Sequence, residues 1–524
     1  MTITILDTTL RDGEQTSGVS FTASEKLHMA KLLLEELKVD RIEIASAGVS
    51  EGEKEGAKKI MDWAAQNGYL HQVEILGFVD KTRSLEWIEE VGGKVINLLC
   101  KGSARHCEKQ LRKTPDQHVA DIRAVIEHAK AKGITVNIYL EDWSNGMRTS
   151  PKYVFQIVES LKDAGVNRFM LPDTLGILNP EQSYLFSREM IQRFPRLHFD
   201  FHSHNDYDLA TANVYSAIQA GMDCIHCTMN GLGERAGNVP LSSVVGVVND
   251  HLKEHTINID ESKLFSVSKI VESFSGIRIP GNKPIIGGFV FTQTSGIHAD
   301  GDNKDNLYHN ELKPSRFNRK HEYALGKLAG KASIKKNLEE LGIELDLDSM
   351  KQVTKRINEL GDRKQVVTKE DLPYIISDVL KSEQIEQKIK IKNYALSVAA
   401  GLQSVATLSI EIDQKTYEET ASGDGQYDAF MNALYRIYDQ LGKPYPNLID
   451  YNVIIPPGGR TDALCHTTIT WKLGDKQFKT NGLDSDQAIA AIKATIKMLN
   501  VIELGNSTIK EIKKRTLEKL KNRA

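Results

Sequence analysis

Short runs of β-branched and other apolar residues recur through the first part of the chain. There are eight of them: ITIL, RIEIAS, VEILGFV, VINLLC, VNIYLE, RFMLPDT, FDFHSHND and CIHCTMNG. The segments between them, such as SEKLHMAKLLLEELK and HVADIRAVIEHAKAKG, carry apolar residues three or four positions apart, as one face of an α-helix requires. Strands that alternate with helices about every 30 residues predict a parallel (β/α)8 TIM barrel over residues 1–265.

Polar residues gather where five of these predicted strands end. LRDGEQ follows the first run, YLEDW ends the fifth, LPDT ends the sixth, HSHND ends the seventh and NGLGERAGN follows the eighth. Because the carboxyl ends of barrel strands converge on one face, we expect these clusters to form a single site. No GxGxxG or GxxxxGK motif opens a unit, which argues against a nucleotide-binding sheet.

The alternation of strands and helices stops near residue 265. Residues 266–387 combine the Gly-, Asp- and Asn-rich stretch SGIHADGDNKDNLY with helical segments such as SIKKNLEELGIEL, and they predict linker subdomains. Residues 388–524 contain the same pattern twice, with three strands followed by a helix. Two βββα units that share a core predict one small α+β domain, followed by a basic tail that is a solvated helix or frayed.

Charge and cysteine content narrow the classes of function. The formal net charge of −3, from 67 Lys and Arg against 70 Asp and Glu, gives no field that favours nucleic acid or an anionic membrane. No window approaches the ~20 apolar residues of a membrane span, and the start MTITILDTTLRDG does not resemble a signal peptide. The 5 cysteines have no framework spacing, which predicts a reducing cytoplasm without disulfides. We therefore expect a cytoplasmic protein that acts on small molecules.

The stretch FHSHNDYD at residues 201–208 predicts a metal site. Side chains at i and i+2 of a strand share a face, so His202 and His204 can both point into the barrel mouth. Asp12 after the first strand and Asn238 after the eighth would add oxygen ligands, because these strands are neighbours of the seventh in a closed barrel. Such a site suits Mn²⁺, Mg²⁺, Co²⁺ or Zn²⁺. A structural role for the two histidines is the alternative.

A second metal or redox candidate, CIHC, is weaker. Cys224 and Cys227 have the spacing of a zinc half-site, but three positions along a strand place them on opposite faces, and there is no second pair. We interpret both as buried strand cysteines, and His226 as a core histidine.

Three motifs resemble the signature regions of the isopropylmalate/homocitrate/citramalate synthase family, which joins acetyl-CoA to a 2-oxo acid. They are LDTTLRDGEQTSGVSF, FHSHNDYDLATAN and NGLGERAGNVPL. The resemblance continues through TSGIHADGDNKDNLY to IDYNVIIPPGGRTDAL and covers nearly the whole chain. Stretches such as INLLCKGS and NIYLEDWSNG are most similar to the citramalate branch, which takes pyruvate on the way to isoleucine. Many members have HNDLG where this chain has HNDYD, so Tyr207 and Asp208 have no assigned role.

The resemblance implies a metal-dependent condensation at the barrel mouth. The metal would polarise the keto carbonyl, and Arg11 would add positive charge at that oxygen. Glu141 would orient groups or transfer protons, and Thr174 would contact the substrate carboxylate, whereas Asp173 could be structural. Three residues match the positions that enclose the pyruvate methyl group, with ordinary barrel lining as the alternative: Leu76, Leu99 and Tyr139.

The acetyl methyl group must lose a proton, which requires a base within hydrogen-bond reach. The resemblance assigns this chemistry to the segment after the barrel, where His298 and Tyr308 match the catalytic pair and Asp300 and Asn306 are neighbours. In the family this segment of one subunit lies over the barrel of its partner, which implies a homodimer with composite active sites. Composition alone predicts a polar surface loop.

The C-terminal domain resembles the allosteric, LeuA-type dimer domain of the family. An apolar cavity with a carboxylate for the ammonium group is what a branched amino acid requires. The resemblance therefore implies inhibition by isoleucine, although the matching residues could instead be domain core. Six residues match the isoleucine pocket: Tyr427, Asp428, Leu448, Tyr451, Ile455 and Cys465.

Three other functions compete with this one. The first is 2-isopropylmalate synthase, which uses 2-oxoisovalerate and is inhibited by leucine. The second is a related acyl-CoA lyase or aldolase, which is less favoured because such enzymes generally lack the C-terminal domain. The third is a catalytically inactive amino-acid sensor, against which the retained Arg11, Asp12, His202, His204 and His298 argue.

Overall fold

A computed structural model describes the chain at residues 1–305, 307–341, 343–362, 367–379, 389–455, 465–474 and 476–502. The chain divides into two compact units. The first comprises residues 1–291 and 310–320, and the second comprises residues 292–309 and 321–524. Among the described residues, no helix combines the length and the apolar character needed to cross a membrane.

Parallel strands close into a barrel in the first unit. Each strand pairs with the next along the chain, and β1 pairs with both β8 and β2, which leaves no open edge. The predicted strands and the (β/α)8 class are therefore confirmed. The eight strands are β1 (Thr2–Asp7), β2 (Arg41–Ser46), β3 (Val73–Phe78), β4 (Val95–Lys101), β5 (Thr135–Glu141), β6 (Arg168–Asp173), β7 (Phe199–Ser203) and β8 (Cys224–Cys227).

Helices pack around the barrel, and their first residues follow from local sequence. Thr22 and Thr114 form capping boxes with Glu25 and Gln117, which satisfy backbone N–H groups at the two helix starts. The helices of this unit are Ala23–Lys31, Leu32–Glu36 (a π-helical turn), Glu51–Asn67, Arg83–Glu90, Ala104–His106, Cys107–Leu111 (also π-helical), Pro115–Ala131, Trp143–Thr149, Pro151–Leu161, Pro180–Arg193, Ala210–Ala220, Leu241–His251 and Leu264–Ser275.

The helix Leu264–Ser275 belongs to the packing of the first unit. Its residues Leu264, Val267 and Val271 join the same hydrophobic core as the barrel strands. A short strand, Thr256–Ile257, also pairs with the start of β1. The domain boundary near residue 265 stays a prediction.

Among its described residues, the second unit contains two hydrophobic clusters. One lies among the helices Lys331–Leu341, Leu347–Asp362 and Leu372–Val379, with Ile334 and Val353 fully buried. A further helix, Gly296–Asp305, follows one of two short strands, Thr292–Gln293 and Glu322–Tyr323, that pair in parallel. The predicted helical subdomains after the barrel are confirmed.

The other cluster lies between two βββα units. Each unit has a three-stranded antiparallel sheet and one helix, and buried residues of both units, including Phe430 and Trp471, form one core. The predicted duplication is confirmed, while the basic tail after residue 502 lies outside the described residues. The elements are Ile389–Ser397, Ser404–Ile412, Lys415–Gly423 and Gln426–Gln440 in the first unit, then Asn447–Ile454, Cys465–Leu473, Lys476–Asp484 and a helix at residues 487–502.

Asp7 places a carboxyl group in the barrel wall at the end of β1. Its Oδ1 accepts a hydrogen bond of 2.9 Å from the backbone N–H of Thr9. Burial nevertheless raises the pKa of Asp7 from 3.8 to about 7, because the charged form loses its hydration. The folded protein thus keeps a proton on Asp7 that the unfolded chain releases between about pH 4 and pH 7.

The contribution of Asp7 to stability is therefore present below about pH 4 and is lost as pH rises through about 7. We predict that Asp7→Asn, which keeps the acceptor for Thr9, gains stability relative to the parent by about 1.4 kcal/mol for each pH unit from 5 to 7. Urea unfolding at several pH values, followed by tryptophan fluorescence, measures this difference. Asp62→Asn, at an exposed position, is the control, and a pH-independent difference for Asp7→Asn would contradict the prediction.

Candidate active site

Asp12, His202, His204 and Asn238 come together at the barrel mouth from three segments of the chain. His202 lies in β7, His204 directly follows it, and Asn238 forms an isolated backbone bridge with His204. His202 Nε2 and His204 Nε2 lie 3.2 and 3.9 Å from Asp12 Oδ2. Ligand atoms of Asp12, His202 and His204 all lie within 4.8 Å of one another, so one ion can contact all three.

The polar atoms of this cluster fit a cation. Asp12 Oδ1 and Asn238 Oδ1 are buried and accept no hydrogen bond from the described residues. The Asn238 amide is oriented because its Nδ2 donates to the carbonyl oxygen of Leu232 at 3.1 Å. Leaving a buried acceptor without a partner costs about 1–3 kcal/mol, which a bound cation would offset. Two imidazoles and two oxygens suit a divalent ion with room for substrate.

Charges around the cluster give each candidate ligand the protonation state that metal binding requires. Burial alone would raise the pKa of Asp12, but the charge of Arg11 and the neighbouring imidazoles hold it well below its usual range. Burial lowers the pKa of His202, and it lowers the pKa of His204 to about 4. At neutral pH the carboxylate is ionised and both imidazoles are neutral, so their lone pairs are available.

Arg11 lies beside the cluster with its guanidinium held from two sides. Its Nε donates to Glu43 Oε2 at 2.5 Å, and one NH2 group lies 3.5 Å from the Tyr139 hydroxyl. Burial would lower the pKa of Arg11, but the charges of Glu43 and Asp12 outweigh that effect and raise it. Glu43 is itself fully buried and accepts a second hydrogen bond from Asn97. A permanent positive charge therefore stands at the barrel mouth.

The residues expected to enclose a substrate methyl group form one apolar cluster. Leu99 and Tyr139 are register partners on β4 and β5, and Tyr139 pairs in turn with Met170 on β6. Leu76 packs in the same cluster, as does the fully buried Leu6 of β1. Sequence alone gives no signal for Leu6 or Met170; the register of β5 against β6 identifies Met170, and packing places Leu6 in the cluster.

The ends of β4, β5 and β6 carry further polar groups. Glu141 forms an ion pair with Lys101, a nearly buried lysine that sequence reasoning left without a role. Thr174 Oγ1 accepts a hydrogen bond from the Asp142 N–H at 2.9 Å. Both carboxylate oxygens of Asp173 accept backbone N–H groups within the following turn, which matches the structural role considered for it.

Tyr207 and Asp208 occupy a turn beyond the histidines. The Tyr207 side chain is 70% exposed. Asp208 adopts a positive φ of 58° and accepts a hydrogen bond from Asn205 Nδ2 at 3.2 Å. The carboxylate of Asp208 therefore stabilises the turn that follows β7.

The cysteine-containing strand β8 does not hold a second open metal site among the described residues. Asp200, Cys224 and His226 form a cluster with potential ligand atoms. The Arg41 guanidinium already occupies it, at 2.5 Å from Asp200 and 2.7 Å from the Cys224 sulfur. Both Cys224 and Cys227 are buried, in agreement with the interpretation as strand cysteines.

The candidate residues after the barrel belong to the second unit. The rings of His298 and Tyr308 lie 4.2 Å apart, so the structure brings this pair together. Asp300 forms an ion pair with Lys304 at 2.7 Å. Asn306 lies outside the described residues.

The six candidate effector residues come from both βββα units. The rings of Tyr427 and Tyr451 lie 5.5 Å apart, and the Tyr427 hydroxyl lies 2.7 Å from Thr495 Oγ1. Asp428 is exposed and accepts a hydrogen bond from the Asp424 N–H. The structure thus joins the two tyrosines across the units. Of the other three, Cys465 is buried, whereas Leu448 and Ile455 are exposed.

Three family models match the chain. An HMGL-like model covers residues 2–271, a homocitrate synthase post-HMGL domain-like model covers 285–365, and a LeuA allosteric (dimerisation) domain model covers 366–503.

Curated relatives match over nearly the full length. A putative (R)-citramalate synthase of Archaeoglobus fulgidus is 34% identical over 96% of this chain and 100% of its own. An (R)-citramalate synthase of Methanocaldococcus jannaschii is 32% identical over 96% and 100%. A 2-isopropylmalate synthase of the same organism is 32% identical over 95% and 94%. An HMG-CoA lyase structure from Bacillus subtilis matches 55% of this chain and 98% of its own, at 22% identity and a TM-score of 0.48.

We predict that chelator-treated protein binds one Mn²⁺ per chain at this site. His204→Ala removes an imidazole ligand and should raise the dissociation constant for Mn²⁺ by at least about 10- to 100-fold. Isothermal calorimetry measures this without reference to activity. His71→Ala, at an exposed position, is the matched control. Unchanged Mn²⁺ affinity in His204→Ala would contradict the assignment.

Proposed function

Since the chain belongs to the isopropylmalate/homocitrate/citramalate synthase family of condensing acyltransferases, we propose that it converts acetyl-CoA, pyruvate and water to (R)-citramalate and CoA. This reaction would supply a threonine-independent route to isoleucine. The observation that carries the proposal is the closed apolar cluster of Leu76, Leu99 and Tyr139 beside the ligand set and Arg11. That cluster suits a methyl group and opposes a larger substituent.

The proposed reaction divides between the barrel mouth and the following segment. A divalent metal (Mn²⁺, Mg²⁺, Co²⁺ or Zn²⁺) held by Asp12, His202, His204 and Asn238 would polarise the keto carbonyl of the 2-oxo acid. Arg11 holds its positive charge where the keto oxygen gains negative charge, and the ion pair with Glu43 keeps the guanidinium in place.

Carbon–carbon bond formation requires the acetyl methyl group to lose a proton. We assign this proton transfer to His298 and Tyr308, with Glu141 orienting groups at the barrel mouth. The deprotonated acetyl carbon forms a bond to the keto carbon, and the keto oxygen takes up a proton to become the hydroxyl group. Water then hydrolyses the thioester, which releases CoA. Asp300 and Asn306 are proposed neighbours of the reacting acetyl group, and Thr174 is the proposed contact of the substrate carboxylate.

We propose that the acetyl end of acetyl-CoA enters a cavity beside Arg11. A cavity of about 410 Å³ is lined by Arg11, Gln15, Phe21, Ser46 and Ser50, among others. This volume lies within the range of about 300–1,000 Å³ that small-molecule sites occupy. The cavity supports a second substrate that approaches Arg11 from the side of β1 and β2.

The apolar cluster supports pyruvate over 2-oxoisovalerate. An isopropyl group adds two carbons to the pyruvate methyl, and these would meet the packed side chains of Leu76, Leu99 and Tyr139. Overpacking a well-filled site costs about 1–3 kcal/mol, which corresponds to about 5- to 150-fold in rate. The alternative is 2-isopropylmalate synthase, since relatives of that name match at 31% and 32% identity.

We predict that kcat/KM for pyruvate exceeds that for 2-oxoisovalerate by about 5- to 150-fold. CoA release from a panel of 2-oxo acids, with chelator and metal add-back, measures it. Leu99→Ala should narrow the ratio because it removes bulk from the pocket, and Arg11→Ala should abolish turnover of every 2-oxo acid. Comparable turnover of the two substrates by the parent protein would contradict the proposal.

We further propose that the C-terminal domain binds isoleucine, and that the enzyme is a homodimer with composite active sites. The matching LeuA allosteric (dimerisation) domain supports both. Tyr427 and Tyr451 offer apolar rings from two units, and the exposed Asp428 offers a carboxylate for the ammonium group. Because Tyr427 and Tyr451 belong to different βββα units, a ligand bound between their rings can change how these two βββα units are arranged.

Isoleucine should inhibit the purified enzyme, and leucine at the same concentration should not. Asp428→Asn should lose this inhibition while basal activity is kept, because the ammonium group loses its counter-charge. Asp439→Asn, an exposed change at the end of the same helix, is the matched control. Steady-state rates measured with isoleucine and with leucine test this prediction. Inhibition by leucine alone would overturn the assignment of isoleucine as the effector.

A further inference from the structure

A chain of buried polar side chains runs through the barrel from its mouth toward the amino-terminal ends of the strands. The Tyr139 hydroxyl lies 3.5 Å from an Arg11 nitrogen and 3.0 Å from His226 Nδ1. His226 Nε2 lies 3.2 Å from Asp200, which Arg41 contacts at 2.5 Å. Barrel interiors are ordinarily filled by branched apolar residues, so a continuous chain of polar side chains here indicates a functional role.

Asp200 sets the direction of the hydrogen bonds. It contacts the Arg41 guanidinium at 2.5 Å and the Arg168 guanidinium at 3.2 Å, so its carboxylate is ionised and can only accept. The proton of the His226 ring that faces Asp200 must therefore lie on Nε2.

The carboxylate that His226 contacts already has cationic partners. Two guanidiniums, of Arg41 and Arg168, face two carboxylates, of Glu74 and Asp200. The His226 side chain is fully buried, and an additional positive charge there would have no counter-charge of its own. His226 is thus the neutral Nε2–H tautomer, and its Nδ1 accepts the Tyr139 hydroxyl proton.

The hydrogen bond to His226 holds Tyr139 where its ring contacts the rings of His202 and His226 and the apolar cluster. Its ring meets the rings of His202 and His226 edge to face, with centroids 6.0 and 5.5 Å away. The same ring belongs to the apolar cluster with Leu76 and Leu99. Because the hydroxyl proton is directed to His226, the oxygen presents lone pairs, and not a proton, toward Arg11.

We propose that His226 is a positioning residue of the condensation, whose Nδ1 holds Tyr139 as a rigid wall of the 2-oxo acid pocket and as a hydrogen-bond acceptor for Arg11. The proposal rests on the proposed function of the same site. The proposal gives His226, on β8, a role in substrate specificity. A histidine that only filled space in the core would have no such role.

Two substitutions separate the proposed role from core filling. His226→Gln keeps a donor for Asp200 and an acceptor for Tyr139, whereas His226→Leu fills a similar volume with neither. In His226→Leu the Tyr139 hydroxyl loses its acceptor, so kcat/KM for pyruvate should fall by about 5- to 150-fold. The ratio of kcat/KM for pyruvate to that for 2-oxoisovalerate should fall as well, and His226→Gln should restore both to within about threefold of the parent.

A purely structural role predicts a different result. Loss of correctly folded protein lowers the rates with both substrates equally and leaves their ratio unchanged. An unchanged ratio in His226→Leu would therefore overturn the proposal. Tyr139→Phe tests the same bond from the other side, and its effect should not add to that of His226→Leu in the double variant. Full additivity would also overturn the proposal.

A spectroscopic measurement keeps the inference testable if His226→Leu does not fold. Long-range ¹H–¹⁵N spectra of histidine-labelled parent protein, with His226 identified by its loss in His226→Gln, distinguish the two neutral tautomers. The Nε2–H form is expected, and the Nδ1–H form would refute the proposal. This result does not depend on catalysis, so it is separate from an absence of condensation with any 2-oxo acid, which would contradict the proposed function instead.

Discussion

The ion pair between Arg11 and Glu43 is the interaction on which the candidate active site depends. Both side chains are almost fully removed from water, and breaking one partner of a buried pair costs about 3–5 kcal/mol. Glu43 accepts a hydrogen bond from the side-chain amide of Asn97, and Asn97 in turn accepts one from Asn137. The charge on Arg11 then allows Asp12 to stay ionised beside two neutral imidazoles, so the electrostatics of the ligand cluster originate in the barrel interior.

Closure of the barrel converts these contacts from distant segments into one site. The register of β1 against β8 pairs Asp7 with Cys227, which places the loop that carries Asp12 beside the loop that carries Asn238. The loop that carries Asn238 needs glycine at two positions, because its backbone folds too tightly there for a Cβ atom. At Gly237 a Cβ would lie 1.9 Å from the Gly231 carbonyl oxygen, and at Gly233 it would lie 2.2 Å from Asn238 Nδ2. The glycines of NGLGERAGN are therefore a requirement of ligand placement.

Periodicity predicted the strands because those of a parallel barrel are buried on both faces and form continuous apolar runs. The spacing of His202 and His204 predicted a shared ligand face for the same elementary reason. Glu43, Asn97 and Asn137 could not be predicted because each is an isolated polar residue within a largely apolar run, and its hydrogen-bond partners come from other segments of the barrel. His226 was interpreted as a core histidine because its hydrogen-bond partners, Tyr139 and Asp200, lie on other strands, 87 and 26 residues away along the chain. Such roles depend on register, which composition and spacing do not specify.

Tyr139 differs in kind from the leucines beside it. Leu76 and Leu99 contribute only hydrocarbon to the proposed pocket, so a change in their size alters its volume without leaving a charge or a hydrogen-bonding group unpaired. Tyr139 contributes the same apolar ring but also links Arg11 to His226 through its hydroxyl. A substitution there changes pocket volume and the surroundings of the guanidinium together. If the proposed function is correct, substitution of the leucines can change the substrate range while the charge at the barrel mouth is kept, whereas substitution of Tyr139 changes both.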